Sequence, residues 1–520
     1  KDSEQVYLIP EFCWLIGLND DMRKDKNIST EALKQTKVAP NERYNCIVEQ
    51  IASMKKPPGQ SQDEKKGTKG TTHQLLQDWK LQLNSKPVEV EAVMHDPLEI
   101  CFGSTKYPIE EGSFQKWMRN GLTYPTRLED WLFIYPESDV PVLDIWLRSL
   151  RDIAQVAFAM KMADPVRVIC SDQRKEIVSL LEQRLTPETQ MVLLLTPQKD
   201  AKKVYQLFKH TTIARFPCVT QVVKSETIRK RQSIAAVLSK IVLQINAKYC
   251  GPLWSVDLEC PGTAPAMKVP TMVIGLDVFE SVEDERIDYY VGFAASFDTH
   301  CAEYFSIASR LEPGRQCESM SEKIQDFLKQ AIEKYAEKNS NLLPEHFIVY
   351  RASISEDQWS TVRQTEIEAI KHLLEGVADK DISGGNYAPK LTFIAISKHL
   401  HMRFFHMNPT EKNIKNPEPG TMIESPLVNK TAYTSFYLIN QAASKGTACP
   451  THYVVLYDTA SIPSSALQSL SYRLSYLYFN INGAIKMPAP AQYAKKIAHL
   501  IGTAVKEDPS KRLLSTFFYL

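Results

Sequence analysis

The sequence predicts an α/β protein with two successive sheets, and three observations lead to this class. Between 130 and about 250, short apolar segments alternate with helical segments, which is the order expected of a parallel sheet covered by helices. From 269 onward, three apolar segments precede further alternation of helices and strands. The 520 residues are 43% hydrophobic and 24% charged, which suffices for two to four compact units.

The sequence of the amino-terminal residues, up to about 103, predicts a layer that connects domains and not a self-contained domain. Residues 5–54 have a mostly helical pattern, and 55–73 (KKPPGQSQDEKKGTKGTTH) contains Pro, Gly, Ser and Lys with almost no apolar residue. The second stretch predicts a flexible loop. Residues 86–103 alternate apolar with polar side chains, as a half-buried strand does.

The first sheet is predicted from three apolar strands, WLFIYP, VRVIC and QMVLLLTP, with helices at 141–161, 173–184 and 199–210. Ligands bind such sheets at the carboxyl ends of the strands. Residues 199–250 hold eleven Lys and Arg against two acids, a local excess of +9. This excess predicts an anion-binding site, and a solvated basic face is the alternative.

The second sheet begins with three strands and continues with alternating elements, the outline of an RNase H-like α/β fold. The predicted elements are the strands VPTMVIGLDVF, YYVGFAASF and AEYFSIASRL, helix 320–339, strand HFIVYR, helix 356–375, strand KLTFIAIS, a loop at 408–420, strand THYVVLYD, and helices 465–480 and 491–506.

Charge and cysteine usage restrict the class of protein further. Lys+Arg 62 against Asp+Glu 61 gives a net charge of +1, so no global cationic field attracts nucleic acid or anionic lipid. The ten cysteines form no CxxC pair and no zinc-type cluster, which predicts reduced thiols inside a cell. An apolar run of about 18 residues and a signal peptide are both missing, so we expect a soluble intracellular protein. A start without Met suggests a fragment or internal numbering.

Asp277 is the first candidate for chemistry. It follows VPTMVIGL directly, at the end of a strand predicted to be buried. Burial of a carboxylate costs several kcal/mol unless a cation or hydrogen-bond donors meet it. The placement therefore indicates a metal ligand, and the alternative is an acid that caps a turn at the strand end.

Several ordered motifs together resemble the Argonaute superfamily, Piwi clade, over essentially the whole chain: VYLIPEFCWLIGL, IGLDVF, GFAASF, RLEPGRQCES, FIVYRAS, PTHYVVLYD, MPAPAQYAKKIAHLIG and the final FFYL. The resemblance implies a linker 2 region at 1–128, a Rossmann-like MID domain at 129–265 and, packed on it, an RNase H-like PIWI domain at 266–520. The PAZ and amino-terminal domains of the family would precede this sequence.

The resemblance implies a catalytic site in which three acids and a His hold two Mg²⁺ ions and cut target RNA. Hard Mg²⁺ takes oxygen ligands, and two ions activate water and stabilise the leaving oxygen. Asp277 and His452 match this motif, and Glu318 matches its mobile glutamate, with Glu322 as the alternative in a shifted register. Where the family has a second Asp, this sequence has Ala352, which cannot bind Mg²⁺.

The nearby acids Glu356 and Asp357 lie too far along the chain to replace the missing Asp, roughly 10 Å or more if the chain is extended. Two origins of Ala352 stay open, a naturally silent family member or a deliberate Asp→Ala change. In either case the sequence predicts that this copy does not cleave, with its catalytic Mg²⁺ binding at Asp277 and His452 impaired.

The resemblance also implies a site for the 5′ phosphate of a guide RNA, formed by Tyr205, Lys209, Gln221, Gln244 and Lys248. Cationic and amide donors suit a doubly charged phosphate, and a phenol can stack on the first base. Spacings of four place Tyr205 with Lys209, and Gln244 with Lys248, on common helix faces. In the Piwi clade, Gln at position 244 and the terminal carboxylate of Leu520 help to hold a further Mg²⁺.

Weaker guide-backbone matches fall at Lys398, Arg403, Tyr478, Lys486 and Tyr493. Arg403 could equally pair with an acid, and Tyr493 could belong to the core.

The resemblance implies a function in RNA silencing, in which the chain anchors the 5′ phosphate of a small guide (piRNA) and pairs the guide with target RNA. A non-slicing adaptor that recruits partners to the target is the alternative, and the details at Gln244 and Leu520 disfavour a DNA-guided nuclease. The implied partners include Tudor-type proteins, which would bind outside this sequence. We expect a monomer in the cytoplasm, including perinuclear germ granules, with the nucleus as an alternative.

Overall fold

The structure is a computed structural model and describes most of the chain. The described residues are 22, 25–55, 71–110, 113–118, 120–170, 174–196, 201–229, 234–283, 286–378, 387–407, 413–428 and 432–520. No helix in these ranges has the length and apolar character that crossing a bilayer requires. The chain divides into two compact units, the first formed by 1–88, 403–417 and 443–449 and the second by 89–402, 418–442 and 450–520.

Among its described residues, the first unit contains three helices, Lys26–Thr36, Pro40–Met54 and Thr71–Asp78, and an antiparallel pair of short strands, His406–Met407 and Ile414–Lys415. The helical pattern predicted before residue 55 is therefore confirmed from Lys26 onward. The loop prediction lies mostly on 56–70, outside the described residues. Its end was wrong by three residues, because the third helix already begins at Thr71.

The strand predicted at 86–103 is only partly correct. Two short strands, Val93–Met94 and Glu99–Phe102, replace one continuous strand. Pro97 lies between them, and it has no N–H group to donate to a ladder. The second of these strands pairs on one side with Thr105–Pro108 and on the other with Ser255–Val256, both antiparallel.

The first large sheet confirms the predicted parallel arrangement. Its four strands lie in the order β2-β1-β3-β4, and all neighbours run parallel. The elements are β1 (Trp131–Pro136), α1 (Val140–Phe158), β2 (Val166–Cys170), α2 (Arg174–Arg184), β3 (Met191–Thr196), α3 (Ala201–His210), β4 (Val219–Lys224) and α4 (Ile234–Lys248). Two-residue strands, Arg127–Leu128 and Lys161–Met162, form a separate parallel pair.

The second sheet has nine strands and a mixed topology, as the RNase H-like prediction requires. The elements are β5 (Thr271–Glu283), β6 (Arg286–Ser296), β7 (Tyr304–Arg310), α5 (Gln316–Lys338), β8 (His346–Ala352), α6 (Glu368–Ala378), β9 (Lys390–Ser397), β10 (Thr421–Ile423), β11 (Ser435–Leu438), β12 (Thr451–Asp458), α7 (Ser464–Leu474) and α8 (Ala489–Leu500). After the edge strand Val93–Met94, the order is β10-β11-β12-β9-β8-β5-β6-β7. The predicted antiparallel trio is β5, β6 and β7.

The helices of this sheet's layers differ from their predicted bounds: α5 begins at Gln316 and not at 320, and α8 ends at Leu500, before a π-helical turn. The two largest differences concern the predicted helices 356–375 and 465–480. The helix predicted at 356–375 is divided into Glu356–Gln358, Trp359–Val362, the π-helical turn Arg363–Ile367 and α6. Helix α7 ends at Leu474 instead of 480 because the following carbonyls have side-chain partners: Trp254 Nε1 donates to Tyr476 O (2.8 Å) and Tyr493 Oη donates to Leu477 O (2.7 Å).

Helix α8 lies very close to the central strands, and two glycines permit this. A Cβ atom built on Gly275 of β5 would be 2.0 Å from the carbonyl oxygen of Pro490, and one on Gly292 of β6 would be 2.1 Å from that of Ala494. Only hydrogen at these positions avoids overlap with the helix backbone. On the other face of the sheet, α5 packs against β6 and β7, and its Met320, Ile324 and Phe327 share one apolar cluster with Leu276 of β5.

Candidate functional site

The predicted 5′-phosphate residues come from three elements of the parallel sheet and its helices. Tyr205 and Lys209 lie on α3, Gln221 on β4, and Gln244 and Lys248 on α4. Both helices contact β4, so side chains far apart in sequence meet around this strand. The ammonium nitrogen of Lys209 is 6.0 Å from the centre of the Tyr205 ring, consistent with their spacing of four.

The two lysines are almost completely buried, at 3% exposure for Lys209 and 2% for Lys248. Lys209 Nζ donates to Thr220 Oγ1 (2.6 Å), and Lys248 Nζ donates to Thr220 O and Gln221 Oε1 (2.8 Å each). All three acceptors are neutral oxygens. Because a buried ammonium group needs a negative partner to offset its lost hydration, this geometry indicates an anion site.

A third lysine, Lys496 on α8, adds to this positive charge. Burial and the nearby Lys496 lower the pKa of Lys209 to about 7. Burial, followed by Lys209 and Lys496, lowers the pKa of Lys248 well below its ordinary value. The sequence analysis did not select Lys496, although the adjacent Lys pair in AKKIAHL, within a mostly apolar helix, was a usable signal.

Amide side chains continue this site as a hydrogen-bonded chain. Gln221 Nε2 donates to Gln244 Oε1 (3.2 Å), and Gln244 Nε2 donates to Asn480 Oδ1 (2.8 Å). The segment that ends at Leu520 is attached to the same helix, because the N–H of Phe517 donates to Lys248 O (3.2 Å) and that of Leu520 donates to Phe517 O (3.0 Å). The six residues predicted for the phosphate site therefore lie on α3, β4, α4 and the final segment of the chain. Both helices contact β4, and the final segment contacts α4.

The predicted catalytic residues Asp277, Ala352 and His452 meet on interior strands of the nine-stranded sheet, where the parallel pairing of β5 with β8 ends, and we call this end of the pairing the edge. Leu276 of β5 pairs with Arg351 of β8, so the next residues along these parallel strands, Asp277 and Ala352, are neighbours. On the other side of β8, Ala352 pairs with Ile396 of β9, and the following residue pairs with His452 of β12.

At this edge Asp277 is buried and His452 is half-buried. Asp277 is 2% exposed, and its Oδ1 accepts a hydrogen bond from the N–H of Val278 (3.0 Å). His452 stacks on Tyr437 with 4.2 Å between ring centres. Burial lowers the pKa of His452 to about 4, so the imidazole is neutral at pH 7. Its Nε2 is buried, with no hydrogen-bond partner among the described residues.

Glu318 is not brought to this edge. It lies exposed in the first turn of α5, which packs against Leu276 and the other residues on one face of β5. Asp277 follows Leu276 and so points to the opposite face, toward α8. The alternative Glu322 is exposed on the same helix and lies 3.4 Å from Arg315. Glu356 and Asp357 are exposed in the turn after β8.

The residues present therefore do not fit a pair of Mg²⁺ ions. Within the described ranges, no three His, Cys, Asp or Glu side chains are arranged to hold a metal. Asp277 and the unpartnered His452 supply two of the four positions, and the methyl group of Ala352 stands where a bridging carboxylate is needed.

The weaker guide-backbone predictions have different outcomes. Lys398 and Lys486 lie near the edge that holds Asp277: burial, followed by Lys495, lowers the pKa of Lys398 to about 8, while Asp277 raises it. Arg403 belongs to the first compact unit. Tyr478 and Tyr493 are core residues at 3% and 0% exposure, and the Tyr493 hydroxyl bonds the backbone of Leu477 and Phe479. Tyr493 has no exposed surface with which to contact RNA, so the predicted contact of this residue with the guide backbone is corrected.

Comparisons with known proteins agree with this architecture. The Piwi domain family matches residues 191–506. The chain is 28% identical over 524 residues to Piwi-like protein 1 of Gallus gallus and 26% identical over 524 residues to Protein piwi of Drosophila melanogaster, covering 99% and 100% of this chain but 56% and 58% of those proteins. The chain thus spans about half the length of the curated relatives that it matches.

Solved structures with the same fold include Drosophila Piwi and the Argonaute of Kluyveromyces polysporus with a guide RNA. Drosophila Piwi aligns with a TM-score of 0.78 at 24% identity, over 95% of this chain and 64% of the other. The Kluyveromyces protein aligns with a TM-score of 0.75 at 17% identity, over 97% and 59%. The predicted combination of a parallel sheet and an RNase H-like sheet is confirmed by these alignments.

Proposed function

The chain belongs to the Piwi domain family, and on this premise we propose that it anchors the 5′ phosphate of a small guide RNA and pairs that guide with target RNA in silencing. We assign 129–265 to a MID domain, 266–520 to a PIWI domain and 1–128 to linker 2. The segments 403–417 and 443–449 of the assigned PIWI range belong to the first compact unit. The proposed setting is the germline cytoplasm, with silencing proteins as partners.

The observation that carries the proposal is the pair of buried lysines on α3 and α4. Lys209 and Lys248 hydrogen-bond only neutral oxygens in the contacts given above, and Lys496 adds a third cation. A dianionic phosphate would satisfy all three, while Tyr205 on α3 would stack on the first base. Gln244 and Leu520 would hold the Mg²⁺ that screens the phosphate from neighbouring anions.

The direct test compares guides that differ only at the 5′ end. We expect a 5′-phosphorylated RNA to bind at least about tenfold more tightly than the same RNA with a 5′ hydroxyl, because two or more charge-assisted hydrogen bonds are lost. Fluorescence anisotropy with a labelled 3′ end measures both affinities, and a 5′-phosphorylated DNA competitor tests the nucleic-acid class. Equal affinity for the two RNA guides would contradict the pocket.

We further propose that this chain binds target RNA without cutting it, because Ala352 removes a required metal ligand. Cleavage by the guide-loaded chain should stay at background in Mg²⁺. If the first turn of α5 brings Glu318 to this edge when guide and target bind, the variant Ala352→Asp should cut a fully paired target in Mg²⁺, and the double variant Ala352→Asp with Glu318→Gln should again be silent. Gel analysis of end-labelled target checks these outcomes, and a silent Ala352→Asp variant would disprove the role of Glu318.

A second candidate, the non-slicing adaptor, is favoured by the same alanine. In this candidate function the target RNA stays intact, and silencing is carried out by partner proteins that the chain recruits to the target. Comparison of position 352 with the genomic coding sequence separates a natural alanine from an introduced one.

A further inference from the structure

A cavity of about 420 Å³ lies on the face of the nine-stranded sheet opposite to Asp277. Strands β5 and β6, the first turn of α5 and the π-helical turn Arg363–Ile367 surround it. Among the described residues that line this cavity, none has a role in the RNA sites proposed above. Its apolar lining consists of half-buried Val278 and the buried residues Leu311, Met320, Ile354 and Val362.

Beyond this cavity, β5 and β6 continue as a two-stranded ribbon that carries an exposed apolar pair. Val282 pairs with Ile287 across the ribbon, and their exposed fractions are 64% and 49%. Val278 packs on the apolar cluster of α5, and Val282 lies on the same face because side chains alternate along a strand. Contiguous exposed apolar surface is typical of a contact with another protein. We call the cavity together with Val282 and Ile287 the rear groove.

The middle of the rear groove holds an acid without a cationic partner. Glu280 lines the cavity, is exposed and lies between Val278 and Val282 along β5. A neighbouring acid is neutralised, since Glu283 Oε1 lies 3.0 Å from Lys506 Nζ. Among the residues that the structure describes, no Lys or Arg forms an ion pair with Glu280.

Arg351 is the cation in the lining of the cavity, and its charge is already matched. It is 6% exposed, and its guanidinium donates to both carboxylate oxygens of Glu366, at 2.8 Å and 3.0 Å. It also donates to the carbonyl of Ala352 (2.6 Å). Because a buried ion pair is strongly destabilised when one partner is lost, Arg351 is not available to an added anion. Glu280 therefore sets the net charge of the lining, which favours a cation.

The spacing along β5 defines the pattern of a matching ligand. Val278, Glu280 and Val282 follow each other at two-residue steps, about 6.6 Å each at the usual rise of a strand. An extended peptide has the same period, so its side chains at alternate positions meet the apolar lining, the acid and the apolar pair in turn. The complementary pattern is apolar–x–basic–x–apolar.

We propose that the rear groove docks an extended segment of a partner protein with this pattern. The first apolar side chain enters the cavity, the basic one pairs with Glu280, and the second apolar one covers Val282 and Ile287. No bond is made or broken. The surface lies on the face of the sheet opposite to Asp277, and its use does not depend on guide binding.

Cys317 provides the test, because its thiol is exposed and lines the same cavity. The peptides Cys-Leu-Ser-Lys-Ser-Leu and Cys-Leu-Ser-Glu-Ser-Leu, each as a disulfide with a small thiol, are equilibrated with the full chain. Cys317 displaces the small thiol, and mass spectrometry of proteolytic fragments measures capture there and at the exposed Cys46. We expect about fivefold more capture of the lysine peptide at Cys317, and no preference at Cys46. Equal capture of both peptides at Cys317 would overturn the proposal.

Variants separate the charge from the apolar contact. Glu280→Gln should reduce the preference for lysine to less than about twofold, whereas Glu333→Gln, at an exposed position of α5, should leave it unchanged. The double variant Val282→Ser with Ile287→Ser should lower capture of the lysine peptide about fivefold, but not that of the shorter Cys-Leu-Ser-Lys. A preference that survives Glu280→Gln would contradict the assigned ion pair. Equal capture of the long and short peptides by the unmodified chain would reduce the groove to a small-molecule cavity and overturn peptide docking.

Discussion

Replacing Lys248 with methionine is expected to weaken binding of a 5′-phosphorylated guide about a hundredfold, equivalent to about 2.7 kcal/mol. The lysine is 2% exposed and lies between the carbonyl of Thr220 and the amide of Gln221. Methionine keeps most of its volume but cannot donate to a phosphate. The same variant should bind a 5′-hydroxyl guide nearly as well as the unmodified protein does.

Without bound guide, the Lys248→Met variant should be at least as stable as the unmodified protein. Burial lowers the pKa of Lys248 below its value in the unfolded chain. The protonated lysine therefore reduces the free energy of unfolding at every pH below that unfolded value, and most strongly toward acidic pH. We expect the variant to unfold at the same temperature or a few degrees higher at pH 7, with Lys240→Met, at an exposed position of α4, as the control for helix effects. Lower stability together with unchanged guide affinity would assign Lys248 a purely structural role.

Replacing Gly275 with alanine is expected to reduce the free energy of unfolding by more than about 3 kcal/mol. The new Cβ would overlap the Pro490 carbonyl at 2.0 Å and the backbone nitrogen of Ala491 at 2.4 Å, so the whole helix must move. Denaturant unfolding measures the effect. Guide affinity should also fall, because α8 carries Lys496.

The matched control is Gly376→Ala in α6, where no atom lies within 4 Å of the added Cβ. In an ordinary helical position this change should raise the free energy of unfolding by about 0.5–1 kcal/mol. If both glycine variants were equally stable, the close contact of α8 with the sheet would not exist in solution.

The strands and the candidate Asp277 were predictable from local sequence, because a buried strand is a continuous apolar run and an acid within it stands out. His452 was found only through the family resemblance. Asp277 lies inside β5 and not at its end as predicted, because the strand continues to Glu283. Lys209 and Lys248 were also predictable, since a local excess of charge and spacings of four place them on helix faces near one strand.

The side of the sheet on which Glu318 lies was not predictable, because it depends on how α5 packs rather than on the motif around it. The same holds for Lys496, whose charged neighbours Lys209 and Lys248 lie on other helices far away in sequence. The full burial of Tyr493 likewise follows from packing against Tyr304 and Phe517, which no short window contains. Pro97, by contrast, was visible in the sequence and should have divided the strand predicted at 86–103.

The seating of α8 on Gly275 and Gly292 has a consequence for how positive charge is arranged in this chain. Lys495 and Lys496 are consecutive residues of the helix, and their charges act on Lys398 and on the pair Lys209 and Lys248, respectively. Because the helix backbone lies directly on the two glycines, both lysines are held at a fixed separation. A shift of this one helix would therefore change the charge at both places together.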